Sequence, residues 1–342
     1  MKLSFPFAFV GMLLVAGMSG GTPARAGTIP EISANKVIQL APIDSEETVP
    51  VVSSVALDPA GKLLAAVGDD HLVRVFDVSS GKLLHRWASH VDWVKASAFR
   101  PNSSVLATSG ADRRVCLWNV VSDGRARNVS EPLQAVIYTL AYSPDGRFLA
   151  AAGFADKVWV FDADQGKLLR ELPAPGADIR AISFSPDGAR MAAAGRAGLV
   201  RIWDANSGQP LSDVQASSRR ICALAYSPDG KVLAAAGRQR VIRLLDSSTG
   251  KPLADLPERP GEVMSLCFCG PDVLASAGSG NVIHLWDMAT RQERSQLIGH
   301  TGSITTLVFN RSAETLISGS YDTTVRLWNV KSQNEERVTR RQ

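Results

Sequence analysis

The chain has 342 residues, a formal charge of +4, 45% hydrophobic residues and 20% charged residues. These values fit an ordinary globular protein and exclude a disordered one. The charge is too mild to make nucleic acid an expected partner.

The first segment differs in kind from the rest. Lys2 supplies a positive start, Leu3 to Gly17 is almost entirely apolar, and small residues follow up to Ala24-Arg25-Ala26 before Gly27. Charge, apolar run and A-x-A in that order form the pattern of a secretory signal peptide over residues 1–26, with cleavage expected after Ala26. The run is shorter than the roughly 20 residues a spanning helix needs, and it contains Pro6. No Cys lies near the cleavage site, so a lipid anchor is not expected, and no later segment is apolar for long enough to span a bilayer. Loss of Lys2 and Arg25 lowers the charge from +4 to +2. The expected location is exported, in the periplasm rather than the medium. Four cysteines follow, Cys116, Cys222, Cys267 and Cys269. Their spacing makes neither a disulfide framework nor a C-x-x-C site, so they are expected as small buried hydrophobes.

Downstream, one spacing recurs. The pairs Phe76-Asp77, Trp118-Asn119, Phe161-Asp162, Trp203-Asp204, Leu245-Asp246, Trp286-Asp287 and Trp328-Asn329 are separated by 42, 43, 42, 42, 41 and 42 residues. Seven near-equal units mean seven copies of one supersecondary element. The fourth unit shows the content. Ile179, Ile182 and Phe184 lead into Ser185-Pro186-Asp187-Gly188, where Pro presets φ and Gly permits a left-handed exit. Ala189 to Gly195 is small and mostly apolar, and Leu199 to Trp203 is rich in β-branched and aromatic residues. Asn206-Ser207-Gly208 turns into a last strand, Gln209 to Val214. Gly and Pro punctuate too often for a helical period to survive.

One four-stranded antiparallel sheet cannot bury both faces alone, but copies stacked around an axis can. The expected fold is all-β: a seven-bladed propeller of four-stranded antiparallel blades over residues 27–332, ahead of a polar tail at 333–342. The last unit stops at Val330, after its third strand, while an extra strand, Val37-Ile38-Gln39-Leu40, precedes the first unit. The pattern predicts that residues 37–40 pair with Thr324–Trp328, complete the last blade and close the ring.

These residues resemble the WD40 repeat family over nearly all of the chain after residue 26. The last unit carries Gly299-His300, Leu316-Ile317-Ser318-Gly319-Ser320-Tyr321-Asp322 and Val325-Arg326-Leu327-Trp328-Asn329. The resemblance implies a buried hydrogen-bonded chain of His300, Ser318, Asp322 and Trp328. It implies a second chain of His90, Thr108, Asp112 and Trp118, at the same offsets. Units three to six lack the Gly-His pair, Thr48 stands in the His place of unit one, and unit five has Leu245 where Trp is usual. Those blades are expected to rely more on Ala-rich second strands such as Ala150–Ala152, Ala192–Ala194 and Ala234–Ala236.

Motifs that carry chemistry are missing. G-x-S-x-G occurs once, at Gly17-Met18-Ser19-Gly20-Gly21, inside the export segment, where it is a chance match. Neither a phosphate-cradling loop nor H-E-x-x-H is present. His85 is expected on a solvated outer strand. His284 lies two residues before Trp286, where Arg or another large side chain also occurs, and no second metal ligand accompanies it. No catalytic residue, metal or cofactor is expected. Two alternatives stay open: a propeller enzyme of lactonase, hydrolase or quinone-dehydrogenase type, and a structural role in envelope assembly.

In the family the resemblance points to, partners commonly meet the face formed by the turn before the third strand and the approach to the first. Offsets place Asp69, Ala111, Phe154, Arg196, Arg238, Ser279 and Tyr321 in those turns. They place Trp93, Lys95, Tyr138, Arg180, Arg219 and Arg220 in the approaches. Units four and five thus offer Arg180, Arg196, Arg219, Arg220, Arg238 and Arg240, beside Trp93, Tyr138 and Phe154 of units two and three. A basic sector next to an aromatic one, with Tyr321, is the expected partner-binding face. Arg and aromatic side chains dominate binding hot spots. The expected function is a protein-binding scaffold in the cell envelope or extracellular space. Its ligand is expected to be an acidic protein segment, with no nucleic acid and no transmembrane anchor after cleavage.

Overall fold

The computed structural model describes residues 29–41, 49–88, 90–121, 126–128 and 131–330. The segment 1–26 expected as an export signal, Thr48 and the tail at 333–342 lie outside the described residues. The first six repeats each contribute four antiparallel strands in simple sequence order, and the last contributes three. Blades are numbered 1 to 7 along the chain. Their inner strands are Val52–Leu57, Val94–Phe99, Ile137–Tyr142, Ile179–Phe184, Ile221–Tyr226, Val263–Phe268 and Ile304–Asn310. These surround a central channel. The polar turns explain why the sheets have sharp edges. In blade 3, Phe148 N donates to Ser143 Oγ at 2.9 Å, Ser143 Oγ donates to Asp145 at 2.6 Å, and Gly146 takes φ 73°. The Ser-Pro-Asp-Gly step therefore satisfies its own backbone while reversing the chain.

The core is not one mass but seven wedges, each between neighbouring blades. Second strands fill them with small residues: Ala150 to Ala152, Ala192 to Ala194 and Ala234 to Ala236 are all buried. The third strands fill them with large ones, and Trp118, Trp159, Trp203, Trp286 and Trp328 are the largest fully buried side chains. Small against large lets the sheets approach closely and interdigitate. The wedge that closes the ring joins Ile38 and Leu40, Val52 and Leu64, and Ile317 and Val325.

The amino-terminal strand closes blade 7. Lys36–Gln39 runs antiparallel to the third strand, with Lys36 opposite Leu327 and Gln39 opposite Thr324. The strand begins one residue earlier than the sequence pattern suggests. Leu40 N still bonds Thr323 O at 3.1 Å. Sequence patterning missed a further strand. Glu31–Ile32 adds in parallel to the outer strand of blade 6, Gln292–Leu297, through Gln296 N to Pro30 O at 2.9 Å and Ile298 N to Ile32 O at 3.0 Å. Two residues carry too little pattern to be seen in sequence. One segment thus ties blade 6 to blade 7 before blade 1 begins.

Cysteine placement corrects the sequence expectation. Cys116 is buried, but Cys222, Cys267 and Cys269 are only half-buried, and none of the four forms a disulfide. Cys222 faces the channel and its thiol donates to Glu262 at 3.0 Å. Inner strands alternate between wedge and channel, and Cys222 falls on the channel side. Burial and the Glu262 carboxylate push its pKa up to about 12, so it is a thiol and not a thiolate.

Candidate partner-binding face at the channel mouth

Two buried hydrogen-bonded chains are present. His90 Nδ1 lies 2.8 Å from Asp112 and its Nε2 2.8 Å from Thr108 Oγ1, which also accepts from Trp118 Nε1 at 2.8 Å. In blade 7 the corresponding distances are 2.7 Å to Asp322, 2.7 Å to Ser318 and 2.9 Å from Trp328. Burial opposes the Asp322 charge, yet bonds from Thr324, the Thr301 amide and His300 hold its pKa at about 2. Burial likewise lowers the His300 pKa, against the pull of Asp322. These groups are structural: they fix the turns that face the mouth.

The mouth is built from the ends of the inner strands and the turns beside them. It opens into a cavity of about 510 Å³ whose charged lining comprises Lys95, Arg180, Arg220, Arg238 and Glu262. Four cations face one carboxylate. The deeper wall is hydroxylic on one side, where Ser54 and Ser97 Oγ meet at 3.0 Å. On the other side Ala181 and Ala223 leave it bare.

On the rim Tyr138, Phe154 and Arg180 form one contact cluster. The Tyr138 and Phe154 rings meet edge-on at 5.0 Å, and the Arg180 guanidinium lies 3.7 Å from the Tyr138 centroid and 4.8 Å from that of Phe154. Trp93 is held by a bond from its Nε1 to Ser53 Oγ at 2.6 Å, and Lys95 Nζ sits over its ring. Phe154 and Tyr321 are 48% and 40% exposed, which is unusual for large aromatic side chains and leaves area to bury. Burial, then the neighbouring Tyr138, raise the Tyr321 pKa.

The six arginines do not form one sector. Arg180, Arg220 and Arg238 line the channel, each with an acid. Arg180 and Arg220 share Asp178 at 2.5 and 2.7 Å, and Arg238 meets Glu262 at 3.3 Å. Arg196 and Arg219 are exposed on the rim, with no ion pair among the described residues. Arg240 lies instead by the groove between blades 5 and 6, near Pro257 and Arg259. A one-dimensional offset places a residue in a turn but does not say which way it leans.

Asp178 escaped the sequence reading, although Asp178-Ile179-Arg180 offered a local signal. It is buried, it occupies the left-handed region at φ 62°, and its carbonyl accepts from Arg196 N at 3.0 Å. A Cβ on Gly195 would collide with that carbonyl, so glycine is required where the second strand passes beneath. Non-glycine residues in this region carry strain of about 1 kcal/mol or more, and such strain clusters at functional sites. Among the described residues no group of three His, Cys, Asp or Glu is placed to hold a metal. No described helix is long and apolar enough to cross a membrane.

Seven blades, third-strand Trp-Asp or Trp-Asn pairs and two His–Ser/Thr–Asp–Trp chains define a WD-repeat propeller. The chain belongs to the WD domain, G-beta repeat family, whose model matches residues 44–77, 81–119, 130–162, 166–204 and 291–329. The anaphase-promoting complex subunit 4 WD40 domain matches residues 215–271. Among similar proteins is WD repeat and SOCS box-containing protein 1 of Danio rerio, 32% identical over 110 residues, or 32% of this chain and 26% of the relative. WD repeat-containing protein VIP3 of Arabidopsis thaliana is 29% identical over 144 residues, 38% of this chain and 45% of the relative. COMPASS component SWD3 of Saccharomyces cerevisiae is 26% identical over 120 residues, 35% and 38% respectively. The matches thus span less than half the length of these curated relatives.

Proposed function

We propose that this propeller is an exported binding scaffold that docks a protein partner, through an acidic segment, across the channel-mouth face. One observation carries the reading: half-exposed aromatic side chains stand beside arginines around a cavity lined by four cations and one carboxylate. Such groups bury large area at small entropic loss. Family membership supports it, since relatives are named as a component or subunit of larger complexes. The charge, apolar run and A-x-A of residues 1–26 support export to the periplasm.

The test is capture from a periplasmic extract by the chain beginning at Gly27, with photo-crosslinkers at positions 154 and 321. Adducts to one partner are expected from both positions and not from a crosslinker at position 211, on the outer edge of blade 4. The double variant Phe154→Glu/Tyr321→Glu should weaken capture by at least about thirty-fold, the loss of one hot-spot residue or more. Unchanged capture would end the docking reading. A full-length chain retained in the cytoplasm, still beginning at Met1, would end the export reading.

A further inference from the structure

We infer that Lys95, Arg180 and Arg220 together form a receptor for one carboxylate side chain of the partner, inserted into the mouth of the channel. This rests on the reading of that face as a docking surface and assigns its anchor. The anchor lies inside the ring, not on the exposed rim arginines.

The charges do not balance in the free protein. Asp178, with its side chain 8% exposed, is the one acid that Arg180 and Arg220 share. Its two oxygens take Arg180 Nε and Arg220 Nη2, while Tyr138 lies against the rest of the Arg180 guanidinium, which makes no second ion pair among the described residues. Arg220 Nε is buried and has no hydrogen-bond partner. Lys95 Nζ forms no hydrogen bond or ion pair among the described residues, and it stands over Trp93 and 5.5 Å from the Tyr138 centroid. Arg180 and Arg220 divide one carboxylate, and Lys95 adds a third cation, with no ion pair among the described residues, at the same mouth. That is a costly arrangement in a partly dry site unless an anion joins them.

The surroundings of Lys95 point the same way. Asp92 belongs to its own blade, Asp69 reaches it from blade 1, Tyr138 from blade 3 and Arg180 from blade 4. Both acids are exposed and already engaged, Asp69 with Val51 N at 2.9 Å and Asp92 with Trp93 N at 2.6 Å. Burial first, then the Arg180 charge, push the Lys95 pKa down to about 8. With its negative charge, an entering carboxylate would oppose both effects. It would gain charge-assisted hydrogen bonds between aromatic walls that keep water out. A basic side chain would meet the same three cations and be repelled. Across the mouth, Glu262 is matched by Arg238 and adds no free charge. A cavity of about 510 Å³ admits a side chain and some water, not a folded element.

The site should therefore lose affinity in mild base. A charged Lys95 is needed; it is present below its pKa and lost above it. The experiment is fluorescence-anisotropy titration of the chain from Gly27 with a capped hexaglutamate peptide, and with hexaglutamine as the neutral control. Hexaglutamate alone should bind, about ten-fold more weakly at pH 9 than at pH 7. The peptide carboxylates do not titrate in that interval. Lys95→Arg should bind without that pH dependence. Lys95→Met should weaken binding at pH 7 by about ten-fold and also lose the pH dependence. Equal binding of hexaglutamine, no binding of hexaglutamate, or a pH dependence that survives in Lys95→Met overturns the receptor. Partner capture by the aromatic rim is a separate readout. If Phe154→Glu/Tyr321→Glu still abolishes capture, the docking face stands while its anchor falls.

Discussion

Blades 2 and 7 differ from blades 4 and 5 in how each is sewn to the blade before it. In blades 2 and 7 a histidine from the connector inserts into the blade, bonding a second-strand hydroxyl and a turn aspartate. In blades 4 and 5 the direction is reversed. Arg201, on the third strand, reaches out to Pro173 O of the preceding blade at 2.9 Å while chelating Asp213 at 2.6 Å through two nitrogens. Arg243 does the same with Ala216 O at 2.9 Å and Asp255 at 2.8 Å. Arg74 reaches Ala41 O at 2.9 Å across the closing seam between blades 7 and 1. One seam is thus stitched either by a buried imidazole from the connector or by a guanidinium that grips the connector's backbone. The first is deep, and the second is wet in blades 4 and 5 although Arg74 at the closing seam is buried: His300 and Asp322 side chains are 0% and 5% exposed, against 25% and 43% for Arg243 and Asp255.

The sharpest break should come in the deep kind. Asp322→Ala leaves His300 and the Thr301 amide without their acceptor. The expected loss is about 3 kcal/mol, read as a lower urea midpoint at an unchanged slope. Acid should reach the same seam. The His300 pKa is lowered from 6.5 in the fold, so its contribution is present above 6.5 and declines as pH falls below that. The Asp322 pKa drops from 3.8 to about 2, so its contribution is present above 3.8 and is lost as pH falls toward about 2. Asp322→Asn should flatten the lower part of that acid profile. A profile identical to wild type would mean that the chain carries no net stability.

Much of this was legible in the sequence, and the limits are instructive. The 42-residue period fixes seven blades, because an antiparallel blade has few ways to use its turns. The His-to-Trp offset picks out both tetrads, since their geometry repeats with the backbone. The Arg–Asp stitch was also written there: Arg201 and Arg243 each stand two residues before the third-strand pair, with the acid twelve residues on. Nothing in composition distinguishes that pair from a solvated one. The mouth was less legible. Asp178, Glu262 and Cys222 meet their partners across blades, over separations of about forty residues or less, and only the ring brings them together. The aromatic residues were found because they are rare; the lean of each arginine was not, because it depends on which acid is nearby.

Blade 6 stands between the two kinds and sharpens the contrast. Trp286 Nε1 bonds Ser276 Oγ at 2.8 Å, as in blade 7, but Arg259 takes the place of the histidine, four residues before the inner strand. Its guanidinium meets Glu293, whose side chain is 2% exposed and which also takes His284 Nδ1 at 2.6 Å and Gln296 at 2.9 Å. Connector insertion and third-strand pairing are thus combined on one carboxylate. Arg259→Met should cost about 2 kcal/mol, between the other two kinds, because two partners of Glu293 remain. Adding Glu293→Gln should recover part of it, since a neutral amide can still bond both. A loss as large as that of Asp322→Ala would show that Arg259 alone holds the charge.

The wet stitch should be weakest, and salt separates its two parts. Arg243→Met removes an ion pair with a half-exposed acid and a bond to a backbone carbonyl, for a combined loss of about 1 kcal/mol. The ion pair is open to counterions, and the Debye length falls to about 3 Å at 1 M salt. The carbonyl bond is neutral on one side and part-buried, so salt touches it less. A double-mutant cycle between Arg243→Met and Asp255→Ala should therefore give a coupling energy that shrinks toward zero in 1 M NaCl. The single loss for Arg243→Met should persist in part. If the whole loss vanished with salt, the grip on Ala216 would contribute nothing. The seam between blades 4 and 5 would then be held by its wedge of alanine, leucine and isoleucine side chains alone, and a connector histidine and a third-strand arginine would be alike in geometry without being alike in energy.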